Sequence, residues 1–434
     1  MKLKTIINVH RIFITDGWNI KTMYIKRDIL SDVLEHLEKK EITLIVGPRQ
    51  AGKTTLMKMV QQDVLKKGGK TIFLSLDFEK DSVHFVSQQA LIQKLQLECG
   101  SQKAYIFIGE IQRKENAGLF LKGLYDMELP YKFIVSGSGS LELKEKIHES
   151  LIGRKRVFEL STITLQEFLQ YKTGYKYHNT IKEYCRLHKE EAGYLLNEYM
   201  NFGGYPRVVL ENTIKEKTNI LNEIYTSYIE KDISYLMKVE KIQAFKHCIR
   251  LLASQVGKCI NGAELSSTLG IAIQTVKNYL AYAEKTFVII MVSPFYRNVR
   301  KELTKMPVVY FNDIGLLNFI NGTLGTVDMF SGGFVFQNLI FLLLKDRYKN
   351  TGASIHYWRT KDKAEVDFVI NKGLEIVPVE VKYSALKNLS VSRSLRNFIN
   401  TYSPKEAYIV NLTLACETVI NNTKVYCIPW FELL

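Results

Sequence analysis

The stretch "ITLIVGPRQAGKTTLMKMV", Ile42 to Val60, decides the fold. Ile42 to Val46 reads as a buried strand that runs into Gly47, then Gly52-Lys53-Thr54, then an apolar helix. The spacing satisfies G-x-x-x-x-G-K-[ST] in the strand–loop–helix context that the pattern requires. Glycines let the loop's N–H groups curl around a β-phosphate at the helix N-terminus. Lys53 would neutralise β- and γ-phosphate charge, and Thr54 would offer its hydroxyl to Mg²⁺. The expected ATP contacts are therefore Gly47, Pro48, Arg49, Gln50, Ala51, Gly52, Lys53, Thr54 and Thr55, with Thr54 the expected metal ligand.

Three further apolar segments keep the same rhythm. They are "TIFLSLDF" from Thr71, "AYIFIGE" from Ala104 and "KFIVSGSGSLEL" from Lys132. Strands alternating with helical stretches predict an α/β fold with a parallel sheet and ligands at the strands' C-terminal ends. A nucleotide hydrolase needs two acids after the middle segment, one for the metal and one for water. Here Gly109 stands where the metal acid is expected, and only Glu110 follows. Asp77, ending an adjacent strand, is the expected partial substitute. Ser136, Ser138 and Ser140 either sense a γ-phosphate or simply form a turn and helix cap.

A chain of 434 residues is too long for one ordinary core and predicts several domains. Only 8 Pro and 26 Gly argue against long disordered linkers between them. The net charge of +15 favours polyanionic partners, or else reflects a generally lysine-rich composition. The 6 Cys form no CxxC pair and read as reduced thiols rather than a disulfide frame or zinc site. The best apolar runs, "FVIIMV" and "LIFLLL", are too short to span a bilayer, and the N-terminus lacks an apolar signal core. A cytoplasmic location without membrane partners is expected.

The ordered set "GPRQAGKTTL" (47–56), "IFIGEIQ" (106–112), "IVSGSGS" (134–140), "SLIGRKRVFELSTITLQEF" (150–168), "NFGGYP" (201–206) and "YIEKDI" (228–233) carries a resemblance. From about residue 24 onward the chain resembles the prokaryotic AAA-type ATPases that carry a C-terminal domain of unknown function. That family places Asp-Glu where this chain has Gly109-Glu110, and the resemblance implies a sensor role for Ser136. It also makes Arg154 the candidate arginine contacting nucleotide, from its own or a neighbouring subunit, with a structural Arg as the rival reading.

The expected organisation is a leader (1–22), a phosphate-loop AAA-type domain (23–170), a helical lid or connector (171–240), a winged-helix-like domain (241–300) and a nuclease-like α/β domain (301–434). In the third of these domains, "NFGGYPR" marks a turn with no evident chemistry. In the fourth, Asn261 and Glu264 suggest a capping box, Gly270 a turn, and Val276, Leu280 and Phe287 the buried face of a second helix. Lys277 and Asn278 would be exposed there, so DNA binding and protein contact are equal readings. In the last domain, Asp367, Glu380 and Lys382 resemble the carboxylates and lysine of restriction-type nuclease cores. A tight hairpin at Asn371-Lys372-Gly373 would leave Asp367 and Glu380 about three rungs out of register unless the chain bends near Pro378. The family's helical acid is Gln337 here, which weighs against cleavage. ATP with Mg²⁺ is the expected cofactor, and DNA or a protein the expected partner.

Overall fold

The computed structural model describes the chain except for residues 1–12, 15–21, 139–150, 237–238, 297–305, 329–330, 361 and 363. Ser140, most of the predicted leader and the basic stretch after Tyr296 lie outside the described residues. The chain forms two compact units and alternates between them. The first comprises Met1–Glu167, Glu223–Ile242 and Ala281–Val288; the second comprises Phe168–Asn222, Gln243–Leu280 and Ile289–Leu434.

In the first unit β1 (Ile42–Gly47), α1 (Lys53–Lys66), β2 (Lys70–Ser75), α2 (Gln88–Cys99), β3 (Ala104–Gly109), α3 (Ala117–Asp126), β4 (Tyr131–Ser138) and β5 (Lys155–Glu159) follow one another. The five strands are parallel in the order β2-β3-β4-β1-β5. Side chains alternate across a strand, so a sheet covered on both faces needs apolar residues at every position. Leu44, Ile106, Ile108, Phe133 and Val135 pack with Leu91, Leu95, Phe120 and Leu121 of α2 and α3. Ile45, Phe107 and Ile134 point the other way, onto Leu56, Met57, Val60 and Val64 of α1. This parity fixes which residues at the strand ends can face the phosphate loop.

In the second unit α4 (Gly262–Leu269) is capped by Asn261, whose side-chain oxygen accepts from the Ala263 and Glu264 amides. Gly270, left-handed at φ +61, turns the chain toward α5 (Ile273–Lys285), whose residues from Ala281 onward belong to the first unit. Lys277 and Asn278 are exposed, while Val276 is buried. β6 (Ile289–Val292) then pairs antiparallel with β7 (Val308–Phe311). The apolar helix α6 (Gly333–Arg347) precedes β8 (Ser354–Arg359), β9 (Glu365–Asn371), β10 (Ile376–Val381), α7 (Arg393–Tyr402), β11 (Glu406–Asn411), β12 (Cys416–Ile420) and β13 (Thr423–Pro429). The six-stranded sheet has the order β8-β9-β10-β11-β13-β12; β10, β11 and β13 run parallel and the other pairs antiparallel.

"NFGGYP" finds its reason in this unit. Gly203 takes φ +69, and the neighbouring amide of Gly204 donates to Asp313 Oδ2 at 2.9 Å. A Cβ on Gly315 would stand 2.0 Å from the Phe202 carbonyl oxygen. Two backbone segments meet with no room for a side chain, which is a packing requirement and not a chemical one.

Candidate nucleotide site

β1 ends in a loop whose shape depends on Gly47 and Gly52. Gly47 sits at φ +157, where a Cβ would lie 2.1 Å from the Leu160 carbonyl oxygen. Gly52 caps α1 in the left-handed region at φ +97, and Gln50 shares that region at φ +59. Pro48 and Ala51 are buried, whereas Thr54, on the first turn of α1, is exposed and Thr55 partly so. The loop and the N-terminus of a 14-residue helix thus form the cradle that anions favour.

Two cations face inward. Lys53 is 6% exposed, and its ammonium donates to the carbonyls of Gly47 (3.0 Å) and Pro48 (2.7 Å). Burial pulls its pKa down to about 8, against the fields of Glu110 and Asp232. The Arg49 guanidinium donates to Asp232 Oδ2 at 2.6 Å. A third cation shapes the loop from outside. Arg27 forms a buried pair with Glu167 at 3.0 Å and donates to the Ala51 carbonyl at 3.1 Å. Through that carbonyl Arg27 braces the loop from behind.

Glu110 lies just past β3 with left-handed backbone, φ +56 and ψ +42. A non-glycine residue there carries strain of about 1–3 kcal/mol, a feature that gathers at functional sites. Gln112 donates to its carboxylate at 2.5 Å and accepts from the Ser138 amide at 3.1 Å. The side chain of Gln112 therefore links Glu110 to the end of β4.

Gly109 shares strand parity with Phe107 and so faces α1 and the loop. A Cβ built on it would meet Ser75 Oγ at 3.3 Å, a contact that a slight shift of that hydroxyl relieves. Asp77, the expected substitute, is half-exposed and tied to Arg113 at 2.6 Å, so the structure turns it outward. Ser138 lies opposite Gly47 in the strand register, and Ser136 lies opposite Ile45, one pleat deeper. Both serine hydroxyls are buried without a hydrogen-bond partner, as is Asp232 Oδ1. Buried polar atoms are almost always paired, so three orphans close to one loop fit a site completed by a polar ligand.

Arg154 is placed elsewhere. It immediately precedes β5, whose first residue, Lys155, pairs with Ile42 at the start of β1. The loop follows the other end of β1, roughly 15 Å along the strand. The Arg154 guanidinium bonds Asp126 at 2.7 Å. Within its own chain it is a surface ion-pair residue at the sheet edge opposite the loop.

The residues that sequence reasoning missed are Arg27, Glu167, Gln112 and Asp232. The last three lie inside quoted motifs, "SLIGRKRVFELSTITLQEF", "IFIGEIQ" and "YIEKDI", which gave the signal without the role.

The second unit brings together the other candidate residues. Phe368 pairs with Val379 and Asn371 with Ile376, so Asp367 and Glu380 fall on the same rung. The expected three-rung mismatch is corrected because the loop spans four residues, Lys372 to Glu375, closed by the Lys372 amide on the Glu375 carbonyl at 2.8 Å. Asp367 turns its carboxyl inward, accepting from the Val381 amide at 2.7 Å and from Gln337 Nε2 at 2.8 Å. Glu380 accepts from Lys382 Nζ at 2.6 Å and from Ser392 Oγ at 2.7 Å. Gln337 thus donates to the very carboxylate that a metal would need. Among the described residues no group of three or more His, Cys, Asp or Glu is placed to hold a metal. Nor is any helix among them long and apolar enough to cross a membrane.

Comparison with known proteins agrees with this geometry. Residues 39–169 match the family model described as an AAA domain. Residues 193–326 and 332–431 match two models described as domains of unknown function (DUF8612 and DUF4143). An uncharacterised protein of Mycobacterium tuberculosis is 25% identical over 381 residues, covering 86% of this chain and 76% of its own. One from Methanocaldococcus jannaschii is 26% identical over 357 residues, covering 81% and 76%. Among solved structures, a replication initiator DnaA bound to AMPPCP and single-stranded DNA covers 60% of this chain and 90% of its own, at 17% identity and TM-score 0.29. The Saccharomyces cerevisiae Hsp104–casein complex covers 59% and 48%, at 14% identity and TM-score 0.30. Scores of that size transfer neither ligand nor function.

Two outcomes test these placements. Lys53 loses its proton more readily when folded than unfolded, so its buried charge costs about 3 kcal/mol below pH 8, a cost that fades as pH rises toward 10. Lys53→Met should therefore melt no lower than wild type at pH 7, yet lose any ATP-induced rise in Tm; an equal rise in both would contradict the site. Burial, reinforced by Glu380, pushes the Asp367 carboxyl up to about 7. The folded chain then holds a proton that the unfolded chain releases near pH 4, so this group lowers stability as pH rises from 4 to 7. Asp367→Asn should remove roughly 2–4 kcal/mol of that fall, read from denaturation at pH 4.5 and 7.5. Identical pH profiles would show that Asp367 is not the titrating group.

Proposed function

We propose that this chain is an ATP-binding AAA-type protein that takes the nucleotide with Mg²⁺ and hydrolyses it slowly. The observation that carries this reading is the unequal pair after β3. Glu110 is strained into position and bridged through Gln112 to Ser138, while Gly109 leaves the metal-acid position without a side chain. The loop amides and Lys53 would hold the phosphates, with Lys53 exchanging its two loop carbonyls for phosphate oxygens. Arg49 and the two orphan serine hydroxyls add further partners. Thr54 would hold Mg²⁺, which supplies charge neutralisation at the phosphates when bound. Glu110 accepts a proton and orients water, and its bond to Gln112 fixes the carboxylate's direction.

The C-terminal module supports the wider proposal that nucleotide state governs contact with DNA or a protein partner. Exposed Lys277 and Asn278 on α5, following a capped helix and a glycine turn, favour a winged-helix-like nucleic-acid surface. The β8–β9–β10 arrangement, with Asp367, Glu380 and Lys382 at one end, supports a nuclease-like ancestry. Gln337 bonded to Asp367 favours binding over cleavage there.

A carboxylate that positions the metal and its waters is worth a hundred-fold or more in rate, roughly 3 kcal/mol of barrier. Gly109→Asp should accordingly raise phosphate release by at least about tenfold, and adding Glu110→Gln should remove the gain. Brisk hydrolysis by wild type, unchanged by Gly109→Asp, would overturn the slow-ATPase reading.

A further inference from the structure

We propose that Asp232 is a metal-positioning acid of the nucleotide site, which supports Mg²⁺ binding from outside the sheet while leaving the hydrolytic deficit at Gly109 in place. The inference rests on the ATP–Mg²⁺ reading above and assigns a metal-positioning residue to it.

Asp232 reaches the site by its partner. Arg49 is a loop residue, and its Nε lies 2.6 Å from Asp232 Oδ2, so the carboxylate lies against the phosphate cradle. The Asp232 side chain is 5% exposed. One oxygen is neutralised by Arg49, and the other, Oδ1, is buried with no hydrogen-bond partner. An isolated carboxylate oxygen in that state is costly, and a polar ligand or its hydration shell would relieve that cost. The segment that delivers it, Tyr228–Leu236, is π-helical, a rare geometry that recurs at functional sites.

The electrostatics agree. Burial pushes the Asp232 carboxyl up, Arg49 pulls it down, and Glu110 pushes it up again. Glu110 and Asp232 also act on the same buried ammonium, that of Lys53. With Oδ2 engaged by Arg49, Oδ1 would accept from the hydration shell of a bound Mg²⁺ without adding a full negative charge beside the phosphates. Asp77, the alternative that strand order suggests, is spent on Arg113 at the surface.

The test is the Mg²⁺ dependence of binding, not turnover. The full chain is titrated with a fluorescent non-hydrolysable ATP analogue, in Mg²⁺ and in EDTA. Wild type should bind more tightly in Mg²⁺, and Asp232→Asn should shrink that enhancement roughly tenfold while leaving the EDTA affinity in place. Gly109→Asp added to Asp232→Asn should restore the enhancement, whereas Asp77→Asn alone should leave it intact. Because Asp232→Asn strands the Arg49 charge, Arg49→Gln with Asp232→Asn is measured alongside and should lose the enhancement to the same extent. Full retention of the Mg²⁺ effect in Asp232→Asn overturns the inference. So does an equal loss in Mg²⁺ and EDTA, which marks Asp232 as a structural anchor of Arg49. Failure of wild type to bind the analogue under either condition is a separate result: it overturns the phosphate-loop reading, and the inference with it.

Discussion

A buried ammonium held by carbonyls rather than by a bonded acid sets the terms of this molecule. Lys53 has almost no water around it and satisfies itself on Gly47 and Pro48, two residues of its own loop. Those contacts are dipoles, weaker than an ion pair in the same low-dielectric surroundings. The shortfall is what a phosphate would supply. Arg27 and Glu167 brace the loop from behind through the Ala51 carbonyl. Such bracing lowers the ordering cost that a flexible loop would incur on binding.

The sheet explains why the chemistry at this cradle is lopsided. Strand parity aims residues 107 and 109 at α1, and position 109 carries no side chain. Glu110, by contrast, keeps its side chain, with left-handed backbone and a carboxylate bonded by Gln112. A site that grips phosphate while its metal acid is absent or borrowed favours a long-lived bound state over rapid cycling. The segment bearing Asp232, Glu223–Ile242, belongs to the first unit and is flanked in sequence by second-unit residues on both sides.

Local features were legible in the sequence. The strand, loop and helix around Lys53 are contiguous, and the glycines that shape them are named by their own backbone needs. The Asn261 cap and the exposure of Lys277 and Asn278 likewise follow from spacing within one helix pair. Long-range pairs were not legible. Arg27 meets Glu167 across 140 residues, and Arg49 meets Asp232 across 183, with no periodicity to connect them. The hairpin after Asp367 misled for a different reason. Asn371-Lys372-Gly373 has the composition of a tight turn, and the Asn371 side chain does accept from the Gly373 amide at 3.0 Å. The turn nevertheless runs on to Glu375, and that extension brings Asp367 and Glu380 level. Arg154 has a place in a motif, but strand direction puts it, within its own chain, at the end of the strands opposite the loop.

The central claim is that ATP is bound and kept. The most direct measurement is the fate of a single bound equivalent: stoichiometric labelled ATP is mixed with the full chain in Mg²⁺, protein-bound label is collected over time, and the nucleotide is identified by chromatography. Retention on the protein as intact ATP through many minutes is expected, with ADP appearing slowly. Conversion to ADP within seconds, or no retained label at all, would contradict it.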